Sequence, residues 1–250
     1  MKSRKSGNFV NFLKLVWIII AWLLIIASLG VFIVKYAGPP ILKSYVRMGV
    51  GDCRRLPVLC VSFDKGVYHS NIDEEFISLL AVYSFPGMEI RLPKNFLAVK
   101  EKINKVYYKR RKVELNSKPT AYLLSQPPGF FVNLFPEVKR FGVESDYQFY
   151  ENLLASRYDN LTSIKDAFFI IMKSIFTPDL GPQEDVKMIK AEWQAMTGFI
   201  SYNLSGETNY FDCNLFDKAG NYSKVYIKDK NKELTLQKVY SIISTLKTGN

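Results

Sequence analysis

Histidine and cysteine are scarce in this chain: 250 residues carry a single His, His69, and three Cys, namely Cys53, Cys60 and Cys213. Zinc sites draw mainly on those two residue types, so too few ligands exist to build one. The Cys-x-x-Cys-His attachment pattern of a c-type haem does not occur. Neither does the Gly-x-Ser-x-Gly nucleophile elbow of the α/β-hydrolases. No cofactor is therefore expected. Self-similarity at a period of about 20–50 residues is missing, which excludes solenoids and repeat arrays. Acidic residues are absent from the first 51 positions; the first is Asp52.

What the early chain has instead is oil and positive charge. Leu15 to Val34 is a run of 20 residues without a charge. A helix of that length, rising about 1.5 Å per residue, crosses a hydrocarbon core about 30 Å thick. Trp17 lies near one end and Tyr36 just past the other, where amphipathic rings favour the membrane interface. A cleaved signal peptide has a shorter apolar core and a small-residue cleavage site; here the run continues into Lys35-Tyr36-Ala37-Gly38-Pro39-Pro40. Lys2, Arg4, Lys5 and Lys14 precede the run, which retains that end in the cytoplasm. The sequence thus predicts a single-pass protein of the inner or plasma membrane. A basic cytoplasmic tail covers residues 1–14, a signal-anchor helix 15–36, a juxtamembrane linker 37–50 and an extracytoplasmic domain 51–250. The bilayer is the first expected partner, through Leu15–Val34. Ala21, Ala27, Ser28 and Gly30 are not spaced by four, so no small-xxx-small seam for close helix pairing is present.

The formal net charge is +11, and Lys2, Arg4, Lys5, Lys14 and Lys35 account for five of it, leaving +6 for the rest. Hydrophobic residues make up 48% and aromatics 14%, enough to fill a core without staples. Gly38-Pro39-Pro40 is expected to end the anchor, and Ile41 to Val50 to form a short helix. Leu56 to Phe63 reads as a buried strand. Asp73 to Tyr83 reads as a helix with acids in its first turn. Met88 to Leu92 reads as a strand, and Phe96 to Lys112 as a basic amphipathic helix. Ala121–Leu124 and Phe130–Phe135, around Pro127-Pro128-Gly129, read as strand, turn, strand.

Ser145 and Gln148 form a capping-box pattern that opens a helix through Ser156. Thr162 or Ser163 caps a second, more apolar helix that runs to Phe176. After it, Met188–Trp193, Phe199–Leu204, Tyr210–Phe216 and Tyr222–Lys228 are short alternating segments. Met196-Thr197-Gly198, Ser205-Gly206-Glu207 and Lys218-Ala219-Gly220-Asn221 are read as the turns between them. A helix from Thr235 to Leu246 closes the chain. The class is α+β: helices packed on a mainly antiparallel sheet, with a C-terminal β-meander and a closing helix.

Chemistry-bearing groups are few. Cys53 and Cys60 are seven apart, and outside the cytoplasm they can close a small disulfide loop worth about 2–3 kcal/mol. Three reduced thiols, or a bridge to Cys213, are the other arrangements. Ser62-Phe63-Asp64-Lys65, Ser145-Asp146-Tyr147 and Lys247-Thr248-Gly249 follow the order of motifs in penicillin-interacting serine enzymes. The resemblance lacks its context. Ser62 ends a strand pattern instead of opening a helix, Tyr147 stands where Asn is needed, and Lys247 trails a helix. His69 with Ser70 and Asp73 has no nucleophile elbow to serve. The densest basic stretch holds Lys105, Lys109, Arg110, Arg111 and Lys112 around Tyr107 and Tyr108. It is either a solvated helix end or a contact for an anionic surface, such as headgroups, a polymer or an acidic envelope protein. Nucleic acid is not expected on that side of the membrane. The preferred expectation is a non-catalytic binding or assembly module of the cell envelope. An envelope hydrolase with a site of scattered polar residues is a second expectation. A bitopic subunit of a secretion, pilus or division machine is a third.

Overall fold

A computed structural model describes residues 20, 23–24, 28, 38–85, 87–100, 119–178, 180 and 185–248. From Gly38, the first described residue of this stretch, the backbone is helical through residue 49, here called α1. Pro39 and Pro40 lie in its first described turn and do not stop it. Their fixed φ suits helical backbone, and the amide they lack has no partner in a first turn. Leu42, Val46 and Val50, one face of α1, pack on Leu59, Leu161, Ala167 and Ile170.

Several elements differ from the sequence reading for identifiable reasons. Pro57–Cys60 is a 3-10 turn, with Pro57 in its first positions, and strand β1 begins only at Phe63 and ends at Tyr68. Helix α2 is short, Glu74–Ser78, with the Asp73 carboxylate accepting from the Phe76 amide at 2.9 Å. Its expected last turn is instead strand β2, Ala81–Phe85, which pairs antiparallel with β3, Met88–Leu92. Leu97–Lys100 is strand β4, parallel to β5, Thr120–Gln126, so the expected helix does not begin at Phe96. Residues 101–118 lie outside the described residues.

Phe130–Leu134 is a helix, α3, and not the second strand of a hairpin. Its N-terminal amides are met from afar: Asp146 Oδ1 accepts from Phe131 N at 2.8 Å and Val132 N at 3.1 Å. The next two helices obey local signals. Helix α4, Asp146–Ala155, is capped by Ser145, and α5, Ile164–Phe176, by a Ser163–Asp166 capping box.

Strands β6 (Lys187–Glu192), β7 (Met196–Asn203), β8 (Asn209–Asp217) and β9 (Tyr222–Asp229) form a continuous meander. Helix α6, Leu236–Ser244, follows, and Lys247–Thr248 forms strand β10. The main sheet has the order β1-β6-β7-β8-β9-β5-β4, and β10-β3-β2 forms a smaller one. The edge pairs β1·β6 and β4·β5 are parallel, so the seven-stranded sheet is mixed. The fold is α+β, and the first half supplies strands as well as helices.

Both faces of the main sheet are covered. One side, with Ile200, Phe211, Cys213, Leu215, Val225 and Ile227, packs under α6 and the small sheet. The other, with Phe199, Phe216 and Tyr222, packs under α3, α4 and α5. Trp193 fixes α6 to β6: its indole stacks on Tyr240 at 4.8 Å and donates to Tyr240 O at 3.1 Å.

Met196-Thr197-Gly198 lies within β7. The turn is at residues 193–195, closed by Trp193 N donating to Met196 O at 2.8 Å. Gly198 is there because a Cβ would sit 2.4 Å from the carbonyl oxygen of Asn214 on β8. Gly198→Ala is expected to lower stability by about 1–3 kcal/mol, the range for overpacking a tight interior. A downward shift of the thermal melt relative to the parent chain checks it.

Candidate functional site

Polar and titratable groups gather in two places under the helix layer. On β8 and β9 the alternation puts Asp212, Asn214, Tyr222 and Lys224 on the side facing α4 and α5. Asp212 is buried, with the Lys224 ammonium 3.0 Å from one carboxylate oxygen. Asn214 Nδ2 donates to the other at 3.0 Å. Tyr222 donates to Asn214 Oδ1 at 2.8 Å, and its oxygen lies 2.9 Å from the Tyr150 hydroxyl of α4. Since the Tyr222 proton points to Asn214, Tyr150 is the donor to Tyr222. Every bond therefore points toward the carboxylate, an arrangement in which each donor polarises the next. Lys224 also donates to Phe176 O, at the last turn of α5, at 3.2 Å. Burial pushes the Tyr150 hydroxyl up to about 12 and Tyr222 well above the usual tyrosine value. Both stay protonated and act as hydrogen-bond donors, not bases.

The second place is Lys173 of α5, which is fully buried. Its ammonium donates to Leu154 O at 3.0 Å, Ser156 O at 3.2 Å and Val61 O at 3.3 Å. Leu154 and Ser156 end α4, so the cation caps that helix from its neighbour. Burial lowers the Lys173 amine to about 7, with repulsion from Arg157 adding to the shift and Asp159 opposing it. Next to it, Arg157 donates to Ser62 Oγ at 2.7 Å and pairs with Asp159. These contacts account for the donors of both lysines as ties between layers.

The sequence candidates do not converge. Asp146 holds the start of α3, His69 is exposed in the loop after β1, and Asp73 caps α2. Lys247 and Thr248 do lie on a strand, contrary to the sequence reading. Lys247 pairs there with Glu89 at 2.9 Å, and Thr248 donates to Asp217 at 3.0 Å. Ser62 and Asp146 share neither partner. A disulfide joins Cys53 to Cys60 across a Cα–Cα distance of 5.6 Å, while Cys213 is free and buried. Burial raises the Cys213 thiol well above its usual value. Lys105, Lys109, Arg110, Arg111 and Lys112 lie outside the described residues, as does most of Leu15–Val34. Of that run, Ile20, Leu23, Leu24 and Ser28 are described, helical and exposed. Among the described residues, no helix is long and apolar enough to cross a membrane.

On the outside, a groove of about 460 Å³ runs between α1 and α5, lined by Tyr45, Met48, Gly49, Val50 and Ile171. Its walls are apolar and it opens to solvent. Around it, Ile41, Tyr45, Met48, Ile164 and Ile175 each keep more than 60% of their surface exposed. Such a grouping on one side of a domain marks a contact surface. Nothing local in the sequence of residues 41–50 tells that α5 would lie beside this exposed side. No family model, no curated protein and no solved structure matches this chain.

The pKa of Lys173 carries a sign. Its folded value lies below the ordinary 10.5, so the unfolded chain binds more protons between pH 7 and 10.5. The lysine's contribution to stability therefore rises with pH from about 7 upward. In Lys173→Met the three carbonyls lose their donor at every pH, a loss of about 1–3 kcal/mol. At pH 6 the variant also escapes the burial of a charge, so its deficit relative to the parent should be small. At pH 9 the deficit should be large. Denaturant melts of both chains at the two pH values check the divergence.

Proposed function

We propose that this chain is a membrane-anchored, extracytoplasmic module that binds or organises a partner in the cell envelope. The observation that carries the reading is the seat of α1. Only residues 35–37 separate Val34, the end of the apolar run, from helical Gly38. From there, Leu42, Val46 and Val50 are buried or half-buried against the domain, and Lys43 Nζ donates to Asp159 O at 3.0 Å. The apolar run thus leads into a packed element of the domain without a long linker. A domain held this way meets other membrane-held molecules at raised effective concentration. The Cys53–Cys60 disulfide supports an oxidising location. The assignment of Asp73, Asp146, Asp212 and Lys173 to helix ends and layer ties supports a binding role over a catalytic one.

Membranes washed with alkaline carbonate should retain the full chain. Protease added outside intact cells should remove a C-terminal tag. Release into the wash, or a protected tag, overturns the reading. Mild-detergent extracts should yield the chain together with a stoichiometric partner. Recovery of the chain by itself under several detergents counts against a binding role.

A thiol-alkylating reagent supplies a separate check of compartment. In chain isolated without reductant and unfolded, one thiol should react, Cys213; after reduction, three should. Three reactive thiols before reduction would place the domain in a reducing compartment.

A further inference from the structure

We infer that the surface made by α1 and α5 around their groove is a lipid-contact surface, which seats the domain against the headgroups of an anionic bilayer. The inference rests on the membrane-anchored reading and adds which face of the domain meets the membrane.

The surface is built from two helices that each show the same face twice over. On α1, Ile41, Tyr45 and Met48 follow one another at steps of four and three, and on α5, Ile164, Ile171 and Ile175 at steps of seven and four. Residues so spaced share one side of a helix. The two sides meet, since Tyr45 and Met48 of α1 line the same groove as Ile171 of α5. The opposite sides are occupied, with Val46 of α1 and Ala167 and Ile170 of α5 in a common buried cluster. The exposed residues are therefore not misplaced core; they are a second apolar face on elements whose first face is already used.

Position along the chain selects the occupant. The four backbone steps from Val34 to Gly38 reach at most about 14 Å. Gly38 therefore starts close to the end of the apolar run, and Ile41 is one helical turn further on. Charge points the same way. Arg47, Arg54 and Arg55 are exposed beside the apolar face, and Lys35 precedes it. Of the described acids beside α1, Asp52 is paired with Arg47 at 3.3 Å and Asp159 with Arg157. An apolar face with a basic border matches the interfacial zone of a bilayer that carries anionic lipid. A second copy of the chain matches it poorly. A symmetric pairing would put the same basic border on both sides of the contact. Tyr45 adds a ring with a polar tip, suited to the headgroup level.

The test uses the full chain reconstituted into vesicles of phosphatidylcholine and phosphatidylglycerol. The variants Met48→Cys, Ile175→Cys and Leu79→Cys are each labelled with an environment-sensitive fluorophore. Leu79 is exposed and adjoins α2, on the opposite side of the main sheet from α5. All three positions are on the surface, so the fold should tolerate them. Lipid carrying a nitroxide near the headgroup end of its acyl chain should remove most of the emission at positions 48 and 175. It should leave position 79 bright. Equal emission at all three sites, in vesicles that keep the chain through a carbonate wash, overturns the lipid-contact surface and leaves the anchor standing. Release of the chain by carbonate overturns the anchor and this inference together. Disulfide-linked dimers of unlabelled Met48→Cys, with no lipid quenching of its labelled form, assign the face to a second copy and overturn the inference.

Discussion

Charge placed on the end of a neighbouring helix is the interaction on which the helix layer depends. Asp146, the first residue of α4, accepts the leading amides of α3. Lys173 of α5 donates to the last carbonyls of α4. Lys224 of β9 donates to Phe176 O at the end of α5, and Asp212 of β8 pairs with Lys224. Helices α3, α4 and α5 thus each have one terminus completed by a polar side chain of another element, and the series ends on the sheet. The terminal groups of a helix left without partners in a dry interior cost free energy, so this series fixes where each helix can sit. The aromatic cluster of Phe131, Phe149, Tyr150 and Phe176 fills the space between, but packing by itself is tolerant of small slides. Directional bonds to helix ends are not.

The same series explains why polar residues sit under helices at all. Asp212 carries a charge that would be expensive in isolation. It is met by Lys224, by Asn214 and, through Asn214, by two phenols that burial keeps protonated. With both faces of the main sheet covered, polar chemistry in the interior serves assembly. On the outer surface, the exposed apolar side shared by α1 and α5 is the notable feature. Its neighbours in sequence are the apolar run on one side and the Cys53–Cys60 loop on the other. The apolar run, α1 and the Cys53–Cys60 loop therefore follow one another along the first 60 residues.

Local signals were legible where a side chain acts on its own backbone. The Ser145 and Ser163 caps announced α4 and α5, and Thr235 announced α6. Alternation announced β6 to β9. Signals failed where the partner is distant. Phe130–Leu134 has the composition of a strand, and only Asp146, 15 residues on, makes it a helix. Residues 81–83 closed the expected helix in sequence, but β3 offered a ladder. The turn after β6 was misplaced because Gly198 serves a close approach of two strands, a reason invisible along one strand. On β8 and β9, period-two alternation tells which residues share a side, not what covers that side.

The sequence by itself determined the α+β class, the meander, the capped helices and the apolar run with its basic leader, because each depends on composition or on neighbours within a few positions. Tertiary structure alone decided that the main sheet is mixed, that Asp212 is buried among donors, that Lys173 caps a helix other than its own, and that α1 and α5 share an exposed apolar side. Those outcomes depend on which surfaces meet, and contacts between residues a hundred positions apart leave no mark in local pattern. The free energy that sets them belongs to pairs, and a single strand or helix holds only half of each pair.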